Sequence, residues 1–301
     1  MTDMVGSALI RRYIGRRFAA LRVRAGITQE QAAIALQRGR ATLGRIEDGD
    51  DRVRFRDVDV KAMLELYKAS PQEGELLLAL TAETRNGRRK SWWHDYTETA
   101  LPEWFGLYVS LEDSAETIQQ YESELVPGLL QTRAYAEQVI STPAGYIGTE
   151  EIQRRVHVRM ERQSLLTRPR APHMIVVLNE AVLHRPVGGP TVMAEQLEHL
   201  LDITRRVSVS VRVVPWSAGI HGGLAAANTF TLLNFPTDTH TAEPLEPPLV
   251  YVDTLTGAMY LNKPDEVHAY RLVWADLEER ALDDAASRKM ILAAQKGFIN
   301  A

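Results

Sequence analysis

Gly26-Ile27-Thr28-Gln29-Glu30-Gln31-Ala32-Ala33, running on through Leu36 to Gly39-Arg40-Ala41-Thr42-Leu43-Gly44-Arg45-Ile46-Glu47-Asp48-Gly49, decides how the chain is read. Two short helices joined by a tight turn account for it. Thr28 is placed to cap the first helix, and Gln31 three residues later completes a capping box. Ala32, Ala33 and Leu36 form a narrow apolar face whose alanines let a second helix approach closely. In the second helix Leu43 and Ile46 make the inward pair, and Gly49 supplies a C-terminal stop. Arg40, Ala41, Thr42 and Arg45 are left on the outward side. Two cations, a hydroxyl and a small residue suit a helix lying against a duplex.

At these residues the chain resembles the Xre family of helix-turn-helix regulators, through Thr28-Gln29-Glu30, Thr42 and Arg45-Ile46-Glu47-Asp48-Gly49. The resemblance implies a lambda-repressor-like head that binds double-stranded DNA. Gln29 and Thr28 are then placed for phosphate, Arg40 and Thr42 for base edges, and Arg45 for either. Two positions depart from the family pattern. Gln37-Arg38 stands where a glycine and an aliphatic residue usually make the turn, so Arg38 is read as pointing outward to an extra phosphate. Gly44 sits inside the reading helix, at a cost of about 1 kcal/mol relative to alanine. A helix-turn-helix used only for protein contact is the alternative.

Working outward, Ile10, Tyr13, Ile14, Phe18 and Leu21 recur at helical spacing and predict a first helix over Leu9–Arg24. Arg11, Arg12, Arg16, Arg22 and Arg24 fall on its other faces, read as mostly solvated with some reaching phosphate. A fourth helix carries Val60, Met63, Leu64 and Tyr67. Ser70-Pro71-Gln72-Glu73 starts a fifth, with Leu76, Leu77 and Leu80 inward. Residues 1–84 therefore form a five-helix domain, and the polar, basic stretch 85–91 is the linker. Residues 1–70 hold 14 Lys and Arg against 9 Asp and Glu, while the whole chain has a net charge of -4. Only one end is built to meet phosphate.

From Trp92 the texture changes, and residues 92–301 read as a larger α+β domain. Leu111–Tyr121 is expected to be helical, as are Tyr135–Ile140, Glu150–Leu166, Thr191–Arg205, the segment from Pro264, and Asp283–Phe298. His173–Leu178 is a continuous apolar run suited to a central strand, and Ser208–Val214 alternates strictly. Thr229–Phe235, Leu249–Val252 and Ala258–Leu261 add three short strands. A crossover followed by a meander is the expected topology.

This half has its own likeness. Trp104-Phe105 with Tyr108, Val126-Pro127-Gly128-Leu129-Leu130-Gln131-Thr132, Arg162-Gln163, Asn179-Glu180 with Arg185-Pro186-Val187-Gly188-Gly189, Val214-Pro215-Trp216 and Val250-Tyr251-Val252-Asp253 resemble the C-terminal domain of antitoxin-like bacterial Xre regulators. The resemblance implies a transcription regulator, often encoded beside a small partner protein. The domain is expected to form a homodimer and to take its signal from that partner or from a small-molecule effector.

Trp92, Trp93, Trp104 and Tyr108 could line a ligand or partner site or simply fill a core. Gly219-Ile220-His221-Gly222-Gly223 reads as a mobile lip on which His221 could serve as a ligand. Cysteine is absent, which removes disulfides, thiolate metal sites and cysteine nucleophiles. Glu180 and His184 lack further ligands for a metal, Gly188-Gly189 lacks the lysine of a phosphate loop, and no serine sits in a nucleophile elbow. The expectation is a cytoplasmic, non-enzymatic protein with no cofactor, no metal and no membrane span.

Overall fold

The computed structural model describes residues 7–50, 52–86, 103–237, 244–254 and 257–300. The chain divides into two compact units: Met1–Ser91 together with Pro236–Glu246, and Trp92–Phe235 together with Pro247–Ala301.

The first unit holds α1 (Ser7–Arg24), α2 (Gln29–Ala35), α3 (Arg40–Glu47), α4 (Asp57–Leu66) and α5 (Pro71–Asn86). The last helix thus continues two residues into the expected linker, and the rest of the linker lies outside the described residues. Ile14, Phe18, Leu21, Ala32, Ala33, Leu43, Ile46, Val60, Met63 and Leu77 make its core. The alanines of α2 do admit α3, as the sequence suggested. Gly15 does the same for α1: a Cβ there would lie 2.4 Å from the Glu47 carbonyl oxygen. At the start of α5, Ser70 and Glu73 exchange hydrogen bonds of 2.9 and 3.3 Å in a capping box.

The second unit is built on a six-stranded sheet, ordered β3-β2-β1-β4-β5-β6. The strands are β1 (Thr117–Glu122), β2 (His173–Asn179), β3 (Val209–Val214), β4 (Phe230–Asn234), β5 (Leu249–Thr254) and β6 (Gly257–Leu261). β1, β2 and β3 are mutually parallel, whereas β4, β5 and β6 form an antiparallel meander. Around them lie α6 (Glu103–Ser114), α7 (Arg133–Ile140), α8 (Thr149–Arg162), the short α9 (Ala181–His184), α10 (Pro190–Ile203), α11 (Pro264–Arg280) and α12 (Asp284–Ile299). Val177, Val214, Phe230, Leu232 and Val250 pack against Val267, Trp274 and Leu277 of α11. α10 packs on α12. The fold is α+β, a helical head followed by a mixed helix-and-sheet domain.

One expectation is corrected here. Leu111–Tyr121 is not a single helix: α6 ends at Ser114 and Tyr121 belongs to β1. Ile118 and Tyr121, three apart, mimic a helical stripe, and Gln119, Gln120 and Glu122 hide the alternation. Yet β1 pairs on both sides, parallel to β2 and antiparallel to β4. A polar strand in the middle of a sheet is an unusual choice.

Candidate nucleic-acid interface

α2 begins where Thr28 Oγ1 accepts the Gln31 N–H at 3.2 Å and the Gln31 side chain accepts the Thr28 N–H at 2.9 Å. The capping box satisfies two otherwise orphaned donors and fixes where the helix starts. The turn after it closes with hydrogen bonds from Gln37 N–H to Ile34 and from Arg38 N–H to Ala33. That pattern needs a left-handed residue, and Gln37 takes it with φ of 52°. A side chain there costs about 1 kcal/mol or more, which explains the glycine in the family pattern. At the end of α3, Gly49 has φ of 69°, and a Cβ would meet the Arg12 backbone at 2.6 Å. Only glycine fits.

At 100° per residue, Leu43, Ile46 and Glu47 fall on one side of α3 and Ala41 and Arg45 on the other, while Arg40, only 20° from Glu47, is left exposed by its place in the first turn. Burial follows: the first three are buried, while Arg40, Ala41 and Arg45 are exposed and Thr42 is half-buried. Arg40 and Arg45 have no hydrogen bond or ion pair among the described residues. Ala41 and Gly44 between them keep the outward surface low, so a flat or grooved partner could approach the backbone.

Most of the other arginines of the head are already engaged. Arg22 grips buried Glu47 with a fork of 2.6 and 2.8 Å, and Gln29 Nε2 donates to the same carboxylate at 3.0 Å. Glu47, the acid of the Arg-Ile-Glu motif, therefore ties α1, α2 and α3 together, and the same charge helps burial push the Tyr67 hydroxyl up to about 12. Arg11 lies over Phe55 at 5.0 Å and donates to the Asp50 carbonyl at 2.6 Å. Arg24 forks onto Glu73 at 2.9 and 2.7 Å. Arg12 bonds Glu246 at 3.2 Å, and Arg16 bonds both Glu246 and the Leu245 carbonyl.

Two sequence expectations change accordingly. Arg38 does not stand free for phosphate: it pairs with Asp59 at 2.5 Å. The Gln29 side chain turns to Glu47 and leaves only its backbone N–H for a phosphate. The arginines of α1, read as mostly solvated, also serve as struts, Arg24 doing so from an exposed position. Conversely, Arg54 and Arg56 went unremarked in the sequence. Both are exposed in the loop after α3 and have no partner among the described residues. Their alternation around buried Phe55 was the available signal.

In the second unit, Tyr108 is buried, stacks on Tyr251 with ring centroids 4.0 Å apart, and donates to Glu112 at 2.7 Å. Trp92, Trp93 and the Trp104 side chain lie outside the described residues. His221 is not on a lip. It is 4 % exposed, its Nδ1 accepts the Leu224 N–H at 3.2 Å and its Nε2 lies 3.4 Å from Asn179. Burial lowers its pKa and favours the neutral ring. Gly223 beside it abuts Tyr121, where a Cβ would come within 2.5 Å of the ring. Among the described residues no cluster of three or more His, Asp or Glu could hold a metal, and no helix is long and apolar enough to cross a membrane.

Comparison with known families bears on both units. A helix-turn-helix domain model matches residues 14–77, and a model described as a domain of unknown function, DUF5753, matches residues 105–293, more than half the chain. The chain belongs to the DUF5753 family. No curated protein and no solved structure matches it. The helix-turn-helix match covers the surface just described and supports a DNA-binding regulator. The match over the second unit carries no activity with it.

Proposed function

We propose that this DUF5753 protein is a sequence-specific transcription regulator of the Xre type. In this reading it is cytoplasmic, acts as a homodimer, performs no catalysis, and is modulated through its C-terminal domain. One observation carries the proposal: in a head where most arginines are tied into internal bonds, α3 keeps Arg40, in its first turn, and Arg45, on its outward side, exposed and without an ion pair among the described residues. Leaving two cations unpaired on a rigid helix, around small Ala41 and Gly44, makes sense if base edges and phosphates complete them. Thr42 adds a hydroxyl beside them. Thr28 and the Gln29 N–H, at the start of α2, suit a phosphate, as do Arg54 and Arg56 in the loop after α3.

Two copies would place two α3 helices on half-sites about 34 Å apart or a multiple of that. Recovering bound DNA from the genome and measuring affinity for the recovered site tests this. A shared motif with two related half-sites is expected, with affinity falling steeply as salt rises. Recovery of no enriched sequence would contradict it. The likeness to antitoxin-like regulators favours a second role, masking a small partner protein encoded nearby. A stoichiometric complex with a neighbouring gene product on copurification is the outcome that reading requires.

A further inference from the structure

Two motifs of the C-terminal domain converge on a cavity of about 230 Å³ walled by β1, β5, α8 and the Val126–Thr132 loop. Arg162 and Arg159, three apart on α8, enter it from the same side but differ in pairing. Arg162 forks onto Glu112 at 2.6 and 3.1 Å and lies over Tyr108. Arg159 has one hydrogen bond among the described residues, 2.8 Å from Nη1 to the neutral Gln131 amide, and no ion pair.

Burial, and Arg162 beside it, lower the Arg159 pKa to about 10. A half-buried guanidinium held by a single neutral hydrogen bond, with Asp253 near enough to feel its charge, keeps donors open for an anionic ligand. Tyr251 adds a buried hydroxyl beside the Asp253 carboxylate, near enough to feel its charge. Glu122 holds Gln120 at 2.7 Å and Thr229 at 3.2 Å, and burial pushes its carboxyl up to about 8. The cavity thus offers a cation with no ion pair among the described residues and a carboxyl group whose proton burial helps to hold. At its open edge stands Asp253, exposed and acidic.

We propose that this cavity binds a small amphoteric carboxylic acid of the amino-acid class, its carboxylate on Arg159 and its ammonium end toward Asp253. Size excludes drug-sized ligands, which occupy about 300–1,000 Å³. Charge disfavours a phosphate dianion, which would meet the Asp253 carboxylate at the open edge of the cavity. The neutral Glu122 carboxyl and the Tyr251 hydroxyl supply further hydrogen bonds, and the Tyr108–Tyr251 stack supplies an apolar wall. The proposal rests on the C-terminal domain being the regulated half and is independent of which residues read DNA.

Titration calorimetry of the full-length protein tests it, against the proteinogenic L-amino acids, their decarboxylated amines, their deaminated acids, and inorganic phosphate. At least one amino acid is expected to bind, and its amine and deaminated acid to bind at least tenfold more weakly. Arg159→Gln and Asp253→Asn should each weaken binding at least tenfold. Asp253 is exposed, so its variant folds even if the Arg159 variant does not. Binding by none of the amino acids overturns the proposal, as does phosphate binding in their place or binding unchanged in Asp253→Asn. Failure to bind while operator affinity stays intact refutes the ligand and leaves the DNA reading standing. Amino-acid binding that leaves operator affinity unchanged supports the site and removes its coupling to DNA.

Discussion

α1 and α3 carry arginines of the same kind in the same small head, and the structure treats them oppositely. On α1, Arg11, Arg12, Arg16, Arg22 and Arg24 each end on a carbonyl or carboxylate. On α3, Arg40 and Arg45 end on nothing within the described residues. A basic sequence is therefore a poor guide to an interface, because a guanidinium serves equally well as an internal strut. What marks an interface is the cation the fold has declined to neutralise. The same contrast recurs in the second domain between Arg162, paired, and Arg159, unpaired.

The sharpest break of this comparison lies in exchanging strut for reader. Replacing Arg22 with Ala strands the buried Glu47 carboxylate and should cost about 3–5 kcal/mol of stability, seen as a shifted denaturation midpoint of the head. Gly15→Ala forces a Cβ into the Glu47 carbonyl, and should cost about 3 kcal/mol in the same assay. Arg40→Ala or Arg45→Ala should instead change stability by no more than about 0.5 kcal/mol. Each should weaken operator binding by about 1–3 kcal/mol. If stability and DNA affinity fell together in all four variants, the division of labour would be wrong.

Smaller effects sharpen the picture. Arg54→Ala and Arg56→Ala should weaken all DNA sequences alike and reduce the salt slope by about 0.9 each. In the second domain, Glu122 keeps its proton in the fold up to about pH 8, while the unfolded chain loses it near pH 4.3. The folded state therefore binds the extra proton between those values, so stability falls as pH rises through that window. Glu122→Gln should flatten the dependence there, measured as melting temperature against pH. Gln37→Gly relieves a left-handed side chain but loosens the unfolded chain, and should raise stability by 1 kcal/mol at most, roughly.

Much of the head was legible in the sequence because its signals are local. The Thr28–Gln31 box, Ser70–Glu73, Gly49 and the spacing of Leu43 and Ile46 each act within a few residues. The pairing of exposed Arg38 with Asp59 was not legible because the two are twenty-one residues apart. The Gln29 side-chain bond to Glu47 was hidden for the same reason, since Glu47 lies on another helix. In the second domain the apolar strands β2 and β3 declared themselves, but β1 did not, because Gln120 and Glu122 line the polar cavity and break its alternation. The residues that make it unreadable as a strand are the ones proposed to serve a ligand. Tyr108 alone of the aromatic group could be placed there, and its part in the cavity depends on Tyr251, brought to it by the β4–β5–β6 meander.

The central claim is tested most directly by equilibrium binding of the recovered operator to full-length Arg40→Ala/Arg45→Ala, beside Arg24→Ala as a paired-arginine control. The account predicts that the double variant, folded and as stable as the parent, loses at least tenfold in affinity while the control stays within twofold. Undiminished operator binding by the double variant would show that α3 does not read the DNA.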